Sequence, residues 1–280
     1  MAPFELFLHD AGVLPEPGQG PSDVRRRCAE LVAPLRAGCQ ITLNHRFFLS
    51  NGDAVIEELA VLARSFETVL IHPHSTYELP FGCNAYTEGA LALLARAHKA
   101  CPNIAGYCFH PDLVTDFAPL AALASETCYV AVEGMGKISR RGKTFAEIEA
   151  LLAAHDFLGF VPDTAHVQEM LSAGEPGLAA YLDAFAARII EIHLSQTGNF
   201  YDPRAMPEGF ETNHSLVQFD TELTRGWLSS LGRLDSVNIV LEGVIPTGRL
   251  GAGLLAAEVD FVRSVMGDFT PAPAASSVAP

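Results

Sequence analysis

Six titratable side chains punctuate this sequence in the same way, each closing an apolar run just before loop residues. YVAVEGM ends on Glu133, GFVPDTAHV on Asp163 with His166 three residues on, IIEIHLSQT on His193 and VNIVLEG on Glu242. TVLIHPH ends on His74 and IAGYCFHPD on His110 in the same manner. A parallel strand buried on both faces reads as a near-continuous hydrophobic run. An acid or imidazole at its last position is costly unless something uses it, and the recurrence argues for use.

Glu133, Asp163, His193 and Glu242 offer three carboxylates and one imidazole. Hard oxygen ligands with one nitrogen suit Mn²⁺, Zn²⁺, Co²⁺ or Mg²⁺. Without a cation, three converging carboxylates repel one another, so a divalent metal is the expected cofactor. A lone histidine at a strand end is more often structural, and His72 reads as a donor to a loop carbonyl. Cys108 reads as packing.

Side chains delivered by successive parallel strands meet at one point only if the sheet closes, which is what a (β/α)₈ TIM barrel does at the C-terminal ends of its strands. Strands are expected at about 4–10, 39–45, 67–74, 103–110, 128–134, 157–163, 189–194 and 236–243, alternating with helices. Strand two should end at His45. In strand seven, Ile190, Ile192 and Leu194 face outward and Glu191 and His193 inward. The long stretch 195–220 carries Gly, Asn, Asp and Pro throughout, and a loop of that length is usually functional. It reads as a lid whose Asn199, Tyr201, Arg204, Glu211 and His214 recognise substrate. Lys137, with Arg140, Arg141 and Lys143, forms a dense basic run just beyond Glu133 and could receive a substrate anion.

At 280 residues the chain suits one barrel of about 250 residues. The expectation is a single domain over 1–268 with a flexible low-complexity tail over 269–280. Six cysteines without a CxxC pair fit reduced thiols in a cytoplasmic protein, and MAPFELFLHD lacks the basic n-region of a secretory signal. A formal charge of -15, from 18 basic against 33 acidic residues, disfavours nucleic acid and anionic membranes as partners. The expected partner is a small-molecule substrate, with a homo-oligomer possible.

The DTAH, IHL and LEG segments together resemble the xylose isomerase-like superfamily of TIM barrels, which includes sugar phosphate isomerases and epimerases and the class-IV apurinic endonucleases. The resemblance covers about residues 69–242. It implies a shared metal site of Glu133, Asp163, His193 and Glu242. HSTY and FHPD resemble endonuclease segments whose histidines bind additional zinc, which implies His74 and His110 as second-metal ligands with Glu133 bridging. The third-metal pair of that branch would align with Glu211 and Asn213 of ETNHSL, so a third ion, or a substrate contact, at His166 needs His214 as a substitute.

Two functions follow from the resemblance. The first is a divalent-metal-dependent isomerase or epimerase of a small sugar, polyol or hydroxy-carbonyl compound. There Glu133 and Glu242 exchange the proton as catalytic base and acid across a metal-stabilised enediolate. The alternative is a di- or trinuclear metal hydrolase or lyase of the endonuclease type. A barrel kept only as a binding module would show an eroded ligand set, and the shared four are intact.

Overall fold

In the computed structural model, residues 4–15, 18–49, 52–201, 206, 212–234, 236–246 and 248–268 are described. The expected tail at 269–280 lies outside them. The strands are β1 (Phe4–His9), β2 (Gly38–Leu43), β3 (Val69–Pro73), β4 (Ile104–Phe109), β5 (Tyr129–Glu133), β6 (Leu158–Val161), β7 (Glu191–Leu194) and β8 (Val237–Leu241). They pair in parallel in the order β6-β5-β4-β3-β2-β1-β8-β7. Between β6 and β7 only two isolated bridges, Phe160 to Ile189 and Asp163 to His193, close the circle. The fold is a nearly closed (β/α)₈ TIM barrel.

Helices α1 (Pro21–Val32), α2 (His45–Leu49), α3 (Asp53–Ala63), α4 (Ala85–Ala100), α5 (Phe145–Ala154), α6 (Thr164–Leu171), α7 (Leu178–Phe185), α8 (Thr221–Ser230) and α9 (Gly248–Asp268) stand between and after the strands. Four of them start on side-chain caps that satisfy otherwise orphaned N–H groups. Asn84 caps α4, Asp220 caps α8, and Thr144 with Glu147 makes a capping box on α5. Helix α6 has no counterpart in the sequence reading. Asp163 opens it, accepting from the His166 backbone N–H at 2.9 Å, so one residue ends a strand region, caps a helix and faces the site. His45, expected at a strand end, instead opens α2, because β2 stops at Leu43.

Residues paired across parallel strands share a face, which sorts the barrel interior. Phe7, Leu70 and Val240 pack together inside, with Tyr129 against them. Cys108, Ala131 and Val161 form a second small cluster, and the Cys108 thiol, expected only to pack, also lies within 4.8 Å of ligand atoms of His72, Glu133 and His193. Gly106 has a positional reason: a Cβ there would fall 2.2 Å from the Tyr129 ring, and its absence lets that ring enter the barrel. The much larger apolar layer lies between the strands and the helices. All six cysteines are free, and five are buried. No helix among the described residues is long and apolar enough to cross a membrane.

Candidate functional site

The strand ends bring Glu133, Asp163, His193 and Glu242 together, with one ligand atom of each within 4.8 Å of the others. All four are at least nine-tenths buried. His193 is central. Its Nδ1 lies 3.1 Å from Glu242 Oε1 and 3.3 Å from Glu133 Oε2, yet makes no hydrogen bond. Asp163 Oδ2 is likewise buried without a hydrogen-bond partner. Buried polar atoms are normally paired, so two such atoms aimed at two carboxylates fit a divalent cation by donor type and by burial.

A second cluster adjoins the first. His72, His74 and His110 bring one ring nitrogen each within 4.8 Å of one another, and the His74 and His110 rings are 4.3 Å apart. His72 Nε2 contacts Glu133 Oε2 at 2.9 Å, and His110 Nε2 reaches the same oxygen at 3.3 Å. The expectation that His72 serves a loop carbonyl is therefore wrong: its ring lies on the barrel side of β3 and pairs with a carboxylate. Its Nδ1 and the Nε2 of His74 are buried without partners.

Asp163, His166 and His214 form a third group within the same limit. His214 takes the place that the alignment gave to Asn213. Its Nδ1 is 2.9 Å from the Asn213 side-chain oxygen, which turns Nε2 toward Asp163 Oδ2 at 3.4 Å. Asn213 in turn donates to Glu169 at 3.0 Å, and Glu169 Oε2 lies 3.6 Å from His166 Nδ1. His166 Nε2 then faces Glu133 Oε1 at 3.6 Å. Gly136 allows this close approach, since a Cβ there would lie 2.2 Å from Glu169 Oε2.

Electrostatics divides the histidines into two kinds. Burial drives His72 down to about 4; burial, with His110 and His72 beside it, also holds His74 well below its ordinary value. These are neutral imidazoles with available lone pairs. Burial would lower His193 too, but Glu242 and Glu133 raise it well above the ordinary value. Against the same burial cost, Asp163, Glu169 and Glu133 lift His166 to about 10. Burial opposes ionisation of Glu133 and Glu242, yet His110 and His193 beside the first, and His193 and His9 beside the second, hold both well below the carboxylate range.

His9, at the end of β1, is a site residue that sequence reasoning passed over. Its Nδ1 is 2.8 Å from Glu242 Oε1 and its Nε2 is 2.9 Å from the Thr42 hydroxyl. The signal was present, since FELFLHD ends on it. The cavity over these groups measures about 250 Å³ and is also lined by Thr212 and Val244. A larger hollow of about 610 Å³ at the opposite end of the barrel, near Arg36, Glu67 and Arg263, gathers no such set of ligands.

The expected substrate contacts fare less well. Tyr201 is buried and its hydroxyl donates to the Val244 carbonyl, so it anchors the loop instead of presenting to the cavity. Lys137 is exposed and donates to the Ser172 hydroxyl, away from the cavity lining. Arg204 and Glu211 lie outside the described residues. The stretch 195–220 is pinned at its base, where Gln196 and Ser215 exchange backbone hydrogen bonds of 2.9 and 2.8 Å. His214 and Thr212 reach the cavity from it.

No family model matches the sequence, and no curated protein matches it either. Solved structures do. D-allulose 3-epimerase from Methylomonas sp. superposes with a TM-score of 0.63 at 13% identity, over 95% of this chain and 100% of that one. The chain has the xylose isomerase-like TIM barrel fold. D-Psicose 3-epimerase from Clostridium cellulolyticum H10, solved with D-tagatose, gives 0.59 at 13% identity over 94% and 99% of the two chains. A xylose isomerase-like TIM barrel protein from Mycobacterium smegmatis, in complex with magnesium, gives 0.54 at 12% identity over 94% and 97%.

Proposed function

We propose that this chain is a divalent-metal-dependent isomerase or epimerase of a small sugar, polyol or hydroxy-carbonyl compound. The observation that carries the reading is the pairing of Glu133 and Glu242 about one point, with Asp163 and His193 completing the ring. Structural neighbours named as sugar epimerases support it. A bound divalent ion would supply Lewis acidity to neighbouring carbonyl and hydroxyl oxygens of the substrate. Glu133 and Glu242 approach from β5 and β8: the ionised one takes the carbon-bound proton and the other, carrying its own proton, returns one to the carbon. His166 and His214 donate to substrate hydroxyls at the mouth, and the cavity of about 250 Å³ suits a small molecule. The net acidity is no obstacle to a neutral sugar.

A second reading rests on the two extra histidine clusters. His72, His74 and His110 on one side, and His166 and His214 on the other, could seat further ions for hydrolysis of a phosphoester. One experiment separates the two. Purified, metal-loaded protein is incubated with a panel of ketoses in D₂O, with metal content measured alongside. Deuterium entering at carbon next to the carbonyl, with one ion per chain, supports isomerisation. Absence of exchange across the panel, with two or three ions bound, favours the hydrolase.

A further inference from the structure

Below the converging strand ends, the barrel interior holds a polar layer that the proposed reaction leaves unused. Glu191, two residues before His193 on β7, is completely buried. Its carboxylate accepts from Gln40 Nε2 and from the Tyr129 hydroxyl, each at 2.6 Å, and meets His193 Nε2 at 2.7 Å. Asn238 Nδ2 donates to the same Tyr129 hydroxyl at 3.1 Å. Side chains from β2, β5 and β7 thus meet one carboxylate, and Asn238 on β8 holds the tyrosine that does so. Branched apolar residues ordinarily fill this level of a barrel, and burying a carboxylate costs free energy even when it is hydrogen-bonded.

The geometry assigns the layer a purpose. We propose that Glu191 is a positioning residue for His193: by taking the Nε2 hydrogen, it fixes the ring so that Nδ1 is delivered to Glu133, Asp163 and Glu242 as the fourth ligand. An imidazole has two nitrogens, and which one binds a metal is set by the hydrogen bond the other makes. Here the choice is made from inside the barrel, beneath the site, by a residue that does not touch the cavity. Tyr129 and Gln40 hold Glu191 in place, and Gly106 gives Tyr129 its space.

This inference rests on the metal-centre reading, and the experiment keeps the two apart. Titration of metal-free protein with Mn²⁺, for wild type and Glu191→Gln, is read together with the melting temperature of each metal-free form. The expected result is an affinity loss of about 10- to 100-fold with melting almost unchanged, because Gln preserves volume and one acceptor. Affinity within about threefold of wild type, or a loss matched by collapse of the metal-free fold, would overturn the role of Glu191. Wild type that takes up no Mn²⁺, Co²⁺ or Zn²⁺ would overturn the metal-centre reading itself. Nitrogen-15 spectra of zinc-loaded wild type add a test that needs no variant: a proton on His193 Nε2 and zinc on Nδ1 support the assignment, and the reverse refutes it.

Discussion

Glu133, from the end of β5, and Glu242, just past β8, reach the same nitrogen, His193 Nδ1, at 3.3 and 3.1 Å. Two carboxylates held this way can act on one carbon from two sides. Glu133→Gln and Glu242→Gln should each lower turnover by about 10²-fold or more, with circular dichroism and melting unchanged. Activity above about one-tenth of wild type in either variant removes the acid and base assignment.

The quartet is rich in oxygen and the His72, His74 and His110 cluster is rich in nitrogen, so they should sort ions by type. Equilibrium dialysis against Mn²⁺ or Mg²⁺ is expected to load one ion per chain. Zn²⁺ should add a second, weaker equivalent that disappears in a His74→Ala, His110→Ala double variant. A second zinc that survives both substitutions places that site elsewhere.

Because Gln196 and Ser215 already form a short antiparallel bridge, the loop between them can be removed without unpicking the barrel. Replacing residues 197–214 by a short Gly/Ser linker should leave a folded protein that still binds one Mn²⁺. Turnover should fall by at least about 10²-fold, since misplacing substrate by about 1 Å suffices for that. Full turnover in the shortened protein would assign substrate recognition to other loops.

Glu258 on α9 is fully buried and accepts the backbone N–H groups of Val217 and Gln218 at 2.8 and 3.0 Å. Burial raises it from 4.5 to about 7, against those two hydrogen bonds. The folded state therefore holds a proton that the unfolded state has lost between about pH 4.5 and 7. Its stabilising contribution is complete at the acid end and is lost as pH rises through 7. The melting-temperature difference between wild type and Glu258→Gln should shift against wild type across that window. A difference that stays flat from pH 5 to 8 shows that Glu258 does not titrate there.

The barrel and the convergence of Glu133, Asp163, His193 and Glu242 were legible because strands buried on both faces leave a titratable end residue conspicuous. What escaped notice did so for physical reasons. Asp163 was read as a ligand, and its equally plain role as a helix cap, which announces α6, was overlooked. His9 was passed over, and His72 assigned to a loop carbonyl, because a one-letter run shows that a strand ends in histidine but not toward which neighbour the ring turns. Glu191 was seen to face inward, while its partners Gln40 and Tyr129 lie 151 and 62 residues away in sequence, a distance at which no local pattern speaks. Tyr201 and Lys137 were misjudged in the opposite sense: a polar loop residue near a site can spend its hydrogen bond on the backbone or on a surface hydroxyl.

The joint between β6 and β7 gives the barrel a mechanical character. Seven of its eight seams are hydrogen-bonded ladders, and the eighth is held by two isolated bridges, one of them between Asp163 and His193. Two of the four candidate ligands therefore flank the loosest seam of the hoop, and a cation shared between them would act as its rivet. Loading and unloading should be felt along the whole circumference, with the amide hydrogens of β6 and β7 exchanging fastest in the metal-free protein and slowing most when the clasp is shut.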